Sequence, residues 1–193
     1  MKSFLFLLTL LISITARSQD KTVLTFKELG WTITVPVGFT VLDSAKQAAN
    51  SDKGEKILEK STGLEIDASA TRNLVSINNG PLNYLNATLT PFDESTDGDY
   101  EEIGRQVNEI LYTTMSEQVK GAKVDSATSE VVYAGQRFRK FSMKIQINEK
   151  ITMVMVMLSK LHNGWDFGIS YIYTDEKGRL ALEGMLEKST FNH

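Results

Sequence analysis

The chain of 193 residues contains no cysteine. That absence excludes a disulfide framework, a thiol nucleophile, a thiolate metal site and lipid attachment at a lipoprotein cysteine. Histidine is nearly absent too, with only His162 and His193. Three prolines leave no Pro-rich linker. Charge of one sign is not in excess: 21 Lys and Arg stand against 24 Asp and Glu, for a net charge of −3. A mildly acidic chain is a poor partner for nucleic acid or anionic membrane. No Gly-x-Ser-x-Gly, His-Glu-x-x-His, Gly-x-Gly-x-x-Gly or phosphate-loop pattern occurs. Beyond the N-terminus the longest apolar stretch is residues 151–158, strand-sized and interrupted by Thr152, so no later segment reads as transmembrane.

The first 18 residues have the order of a cleavable secretory signal. Lys2 supplies the positive region, residues 4–14 are almost continuously apolar, and Ala16 and Ser18 are small residues at the positions a signal peptidase reads. Cleavage is expected between Ser18 and Gln19, leaving residues 19–193 as a single domain in the periplasm or outside the cell. Removal of Lys2 and Arg17 takes the net charge from −3 to −5.

The remainder reads as α+β. Trp31, Ile33 and Val35 alternate with Thr32 and Thr34, the period-two pattern of a half-buried strand, with residues 22–26 as a strand before it. Pro36 and Gly38 make a turn, after which residues 39–42 are extended. Ser44 with Gln47 resembles a capping box, and residues 45–60 suggest a weak or broken surface helix interrupted by Gly54. Residues 74–77 and 84–89 predict two strands around Asn78-Asn79-Gly80-Pro81. Asp99 and Glu102 open the most regular helix, with Ile103, Val107, Ile110, Leu111, Met115 and Val119 at helical spacing, Lys120 near its end and Gly121 as its stop.

An antiparallel meander follows. Residues 131–133 turn at Ala134-Gly135. Phe141, Met143, Ile145 and Ile147 alternate with polar residues, and residues 151–161 are apolar on both faces for most of their length. His162-Asn163-Gly164 predicts a tight hairpin, since Asn and Gly both tolerate positive φ. Trp165, Phe167, Ile169, Tyr171 and Tyr173 then share one face, with Asp166, Gly168, Ser170 and Thr174 on or near the other. A last helix starts near Asp175 and carries Leu182, Met185 and Leu186 inward. An antiparallel sheet with helices packed against it accommodates this order.

Three local features resemble the PsbP-like superfamily, named for an extrinsic subunit of photosystem II. They are the strand Trp31-Thr-Ile-Thr-Val-Pro36-Val-Gly38-Phe39, the long helix ahead of the hairpins, and the ending Glu187-Lys188-Ser189-Thr190-Phe191, similar to a terminal Ser-x-Phe strand stub. Phe39 stands where the family usually has Trp, and residues 44–71 are particular to this chain. The resemblance implies an α/β/α sandwich around an antiparallel sheet. It also implies a small, non-enzymatic accessory or binding protein, this chain being a distant, bacterial, secreted member, and it transfers no catalytic residue.

Several constellations could carry chemistry. The acidic run from Asp93 offers Asp93, Ser95, Asp97 and Gly98 at the first, third, fifth and sixth positions of an EF-hand-like loop, followed by Asp99. The position of the bidentate glutamate falls on Gly104, which has no side-chain oxygen. Asp93, Asp97 and Asp99 are therefore metal-ligand candidates set against the ordinary role of helix-capping turn residues. Met153, Met155 and Met157 could present thioethers to Cu(I) or simply fill core space. His162 could act as a base or sit as a turn residue. The aromatic stripe on the strand from Trp165 could line a groove or form the sheet face against the long helix.

These readings favour a non-catalytic binding or accessory protein of the envelope, with no cofactor and with a small molecule or an envelope protein as partner. A secreted hydrolase using a carboxylate pair, and a structural envelope protein, are the alternatives.

Overall fold

The computed structural model describes residues 21–63, 68–119 and 121–192. The expected cleavage point between Ser18 and Gln19, and Lys120, lie outside the described residues.

A seven-stranded antiparallel sheet forms the centre. In chain order its strands are β3 (Thr40–Val41), β4 (Arg72–Asn78), β5 (Tyr84–Pro91), β6 (Lys123–Tyr133), β7 (Gln136–Gln146), β8 (Thr152–His162) and β9 (Trp165–Tyr173), and in space they run β3-β4-β5-β9-β8-β7-β6. A second, three-stranded sheet comprises β1 (Val23–Phe26), β2 (Trp31–Thr34) and β10 (Thr190–Phe191), in the order β1-β2-β10. The expected single sheet is thus divided in two. The single 3₁₀ turn Lys27–Leu29 and the left-handed Gly30 return the chain from β1 to β2. The C-terminal stub then pairs Thr190 with Thr32 and Phe191 with Trp31.

Helices cover both faces. They are α1 (Ser44–Thr62), the single turn α2 (Glu94–Asp97), α3 (Tyr100–Gln118) and α4 (Glu176–Glu187). On one face, α4 and the small sheet bury Trp31, Ile33, Leu182, Met185 and Leu186 against Val75, Ile77, Leu85, Phe138, Leu158, Phe167, Ile169 and Tyr171. Phe26, Trp31, Phe138, Phe167 and Phe191 form an aromatic cluster there, with the Trp31 ring 5.2 Å from both Phe26 and Phe167. The predicted aromatic stripe therefore packs on the α4 side rather than under the long helix. On the opposite face, Phe141, Met143 and Ile145 of β7 meet Met153, Met155 and Met157 of β8, with Leu111, Met115 and Val119 above them. The methionine row is half-buried and packs against this core.

Turn chemistry sets the register. Asn163 and Gly164 have φ of 50° and 76°, and Ala134 and Gly135 have 48° and 77°; two consecutive positive φ values match the right-handed twist of the hairpins they join. Asp99 caps α3, its Oδ1 accepting from the Glu102 backbone N–H at 2.8 Å. The Ser44–Gln47 box is corrected. Asp43 is the cap, accepting from Lys46 N–H at 2.9 Å, and Gln47 reaches back to the Leu42 carbonyl. The helix that follows is continuous through Gly54. One glycine costs about 1 kcal/mol, and Asp43 at one end and the left-handed Gly63 at the other satisfy terminal backbone groups.

Candidate functional site

The α3-side face of β5, β8 and β9 carries small and hydroxylic residues. Across β5 and β9, Thr88 stands opposite Gly168, Thr90 opposite Asp166 and Asn86 opposite Ser170. On β8, Ser159 stands opposite Gly168. These side chains are too short to fill the space that the methionines and Phe141 fill next door. The second half of α3 consequently rests on packed core while its first half spans a cavity of about 340 Å³. Thr88, Thr90, Ser159, Asp166, Gly168 and Ser170 make the floor. Phe92, Tyr100, Ile103, Val107, Phe141 and Met157 make the roof and walls. A wider groove of about 580 Å³ lies between α3 and β6 and adjoins the cavity along Asn108, Thr128, Arg139 and Phe141.

Tyr100 and Asp166 are the chemically distinctive pair. The Tyr100 hydroxyl donates to Asp166 Oδ1 at 2.6 Å. Burial pushes the Asp166 carboxyl above its ordinary range, against the lowering effects of that hydrogen bond and of the Arg139 charge. Burial and the neighbouring carboxylate raise the Tyr100 phenol as well, so it stays a donor. The Phe92 ring meets Tyr100 edge-on at 5.1 Å.

Arg139, from β7, holds α3 over the sheet. Its Nη1 donates to the Tyr100 carbonyl at 3.2 Å and its Nη2 to the Glu101 carbonyl at 3.3 Å, while Nε pairs with Glu101 Oε2 at 3.0 Å. Its guanidinium lies 5.9 Å from the Tyr100 ring centroid. Gly104 lets the helix come this close, because a Cβ there would run into Arg139 Nη1.

A second polar layer lies beneath α1. The buried Ser76 hydroxyl donates to Asn86 Oδ1 at 2.8 Å and accepts from Tyr84 Oη and Asn73 Nδ2, both at 3.3 Å. Asn73 Oδ1 is buried with no protein hydrogen-bond partner.

The residues singled out in the sequence fall elsewhere. Asp93 accepts from Ser95 N–H at 2.9 Å and Ser95 Oγ at 2.7 Å, which holds its carboxyl below the usual range. Asp97 accepts from the Asp93 N–H at 2.7 Å, and Asp99 caps α3 at the rim of the outer groove. Among the described residues no group of three or more His, Asp or Glu is placed to hold a metal ion. His162 stands at the β8–β9 turn, its Nε2 3.3 Å from Asn163 Nδ2, and does not line the cavity. Tyr100, Arg139 and Asp166 carry no motif in the sequence. The available signal was the run of Asp166, Gly168 and Ser170 on the face opposite the aromatics, which marks a place where that face cannot close on a helix.

Structural comparison shows the fold to be PsbP-like. The chain superposes on cyanobacterial PsbP (CyanoP) from Synechocystis sp. PCC 6803 with a TM-score of 0.52 and 9% identity, covering 94% of this chain and 99% of that one. It also matches the Ran-binding protein Mog1p of Saccharomyces cerevisiae with a TM-score of 0.41 and 11% identity, covering 89% and 95% of the two chains. No family model matches the chain, and no curated protein matches it in sequence.

Proposed function

We propose that this protein is an exported, non-catalytic binding protein whose small-molecule ligand occupies the cleft beneath the first half of α3. The observation that carries this reading is the cavity itself, a pocket-sized space with mainly apolar walls and one convergent polar pair, Tyr100 and Asp166. Its position between a helix held by Arg139 and a floor of short side chains makes it a consequence of sequence rather than of loose packing. Among the described residues Asp166 is the one carboxylate lining the inner cavity, the other acids lining the outer groove. Paired-carboxylate hydrolysis needs two such groups, so binding is the better supported role.

Export rests on the N-terminal pattern of Lys2, the apolar run and Ser18. Among the described residues no helix is long and apolar enough to cross a membrane. N-terminal sequencing of the protein recovered from its native envelope should begin at Gln19, and an intact Met1 would refute processing.

The binding reading is tested by amide NMR against a fragment library spanning amines, alcohols, carboxylates and sugars. Shifts that saturate and cluster at Tyr100, Asn108, Ser159 and Ser170 are expected. Saturable shifts confined to another surface, or none at all, would refute the site.

A further inference from the structure

We infer that the cleft selects a small organic cation, an ammonium group on a compact apolar body with its charge set on Asp166. This rests on the binding reading above and adds the class of ligand.

Charge pairing leads to it. Arg139 also lines the cavity and its charge acts on Asp166, but its guanidinium is held by Glu101 Oε2 at 3.0 Å and by the Tyr100 and Glu101 carbonyls. None of the ion pairs among the described residues includes Asp166. Lys140 also borders the cavity, but alternation along β7 puts its side chain on the opposite face from Arg139 and Phe141. With Asp166 ionised, its carboxylate therefore faces the cavity without an ion pair of its own, Arg139 acting on it from beyond ion-pair distance.

Hydrogen-bonding capacity points the same way. An ionised carboxylate can accept about four hydrogen bonds, and one donor, the Tyr100 hydroxyl, reaches Asp166 among the described residues. An ammonium group brings up to three N–H donors together with a positive charge placed directly on the carboxylate. Thr90 and Ser159 stand beside Asp166 on the floor and add neutral acceptors.

The walls suit the remainder of such a ligand. Phe92 and Tyr100 line the polar end, Phe92 edge-on to Tyr100 at 5.1 Å. Ile103, Val107, Phe141 and Met157 offer apolar contact to the body. An anion would meet Asp166 unfavourably. A sugar could use the floor hydroxyls but would bury its own against the apolar walls.

The test uses four probes on the purified protein: phenethylamine, phenethyl alcohol, phenylacetate and glucose, titrated calorimetrically and by amide NMR near neutral pH. Phenethylamine is expected to bind at the cleft residues at least about tenfold tighter than the alcohol, with phenylacetate weaker still. Asp166→Asn should erase the amine's advantage over the alcohol. Ser170→Leu, which fills the floor without touching the charge, should weaken the amine and the alcohol alike. Alcohol, acid or sugar binding at the cleft as tightly as the amine would overturn the cation inference and leave the binding site standing. An amine preference that survives Asp166→Asn would do the same. No perturbation of the cleft by any probe or fragment would overturn both.

Discussion

The phenol of Tyr100, on the first turn of α3, donates to the carboxylate of Asp166, near the start of β9, at 2.6 Å. Nothing local in the sequence relates the two residues, which are 66 positions apart. They meet because the β8–β9 hairpin brings Asp166 under the end of α3 that Asp99 caps. Burial makes the bond costly to leave unmade and raises the carboxyl it serves.

Removing that charge should change how stability depends on pH. A carboxyl raised on folding binds protons more tightly in the native state, so its contribution is retained below its unfolded value and lost as pH rises through the folded one. Asp166→Asn should thus show a melting temperature, relative to wild type, that climbs from mildly acid toward neutral pH, since Asp166 starts from an ordinary value of 3.8 and is shifted up. Parallel scans of the two proteins cancel the contributions of the other acids. A difference that is flat or falls with pH would mean that Asp166 is not desolvated.

Two glycine substitutions should have opposite signs. Gly54 sits inside α1 with open space where a Cβ would go, so Gly54→Ala should stabilise by about 0.5–1 kcal/mol through helix propensity. Gly104→Ala has the same propensity gain, but its methyl would displace the Arg139 guanidinium and break its bonds to the Tyr100 and Glu101 carbonyls. A net loss of about 1 kcal/mol is expected there, the lost hydrogen bonds outweighing the propensity gain. Urea denaturation of both variants decides the matter, and equal stabilisation would show that Arg139 does not hold α3.

The C-terminal stub should matter far more than its two-residue strand suggests. Phe191 lies 6.1 Å from the ring of Trp31, 6.5 Å from Phe138 and 6.4 Å from Phe167. It is only partly buried, so Phe191→Ala should cost about 2–3 kcal/mol, below the ~3–5 kcal/mol of a fully buried phenylalanine. The corresponding fall in melting temperature is about 5–10 °C. Tryptophan fluorescence is a direct readout because Trp31 is fully buried in the same cluster. No change in melting or emission would place the stub outside the core.

The acidic loop should respond to mutation as a pair of caps. Asp99→Ala removes the acceptor for Glu102 N–H and should destabilise by about 1 kcal/mol. Millimolar Ca²⁺ should leave the melting temperature where chelator leaves it, because oxygens of Asp93, Asp97 and Asp99 already serve backbone N–H groups. A saturable Ca²⁺-dependent rise that Asp93→Ala abolishes would establish a metal site.

Local signals were legible where one short segment held the whole cause. Asn163-Gly164 specified a hairpin through two residues that accept positive φ, and Asp99 with Glu102 specified a helix start. Trp31, Ile33 and Val35 specified a buried strand face by period two alone, and all three are buried. The cap of α1 was displaced by one residue because Asp43 and Ser44 are both good caps and only backbone geometry chooses between them. The division into two sheets escaped the pattern because β10 is two residues long and acquires meaning only when it lies beside β2.

Composition and periodicity by themselves determined the fold class, the hairpin turns, the main helix starts and the absence of thiol chemistry, because each is set within a few neighbouring residues. The face on which the aromatic stripe packs was decided by tertiary structure, since either side of a strand can accept it until α4 and β2 arrive. The cleft was decided there too. It arises from Thr88, Ser159 and Gly168 on three strands being jointly too small to reach α3, and from Arg139 holding that helix above them. A cavity is a deficit of volume shared among distant residues, and no single stretch of chain contains it.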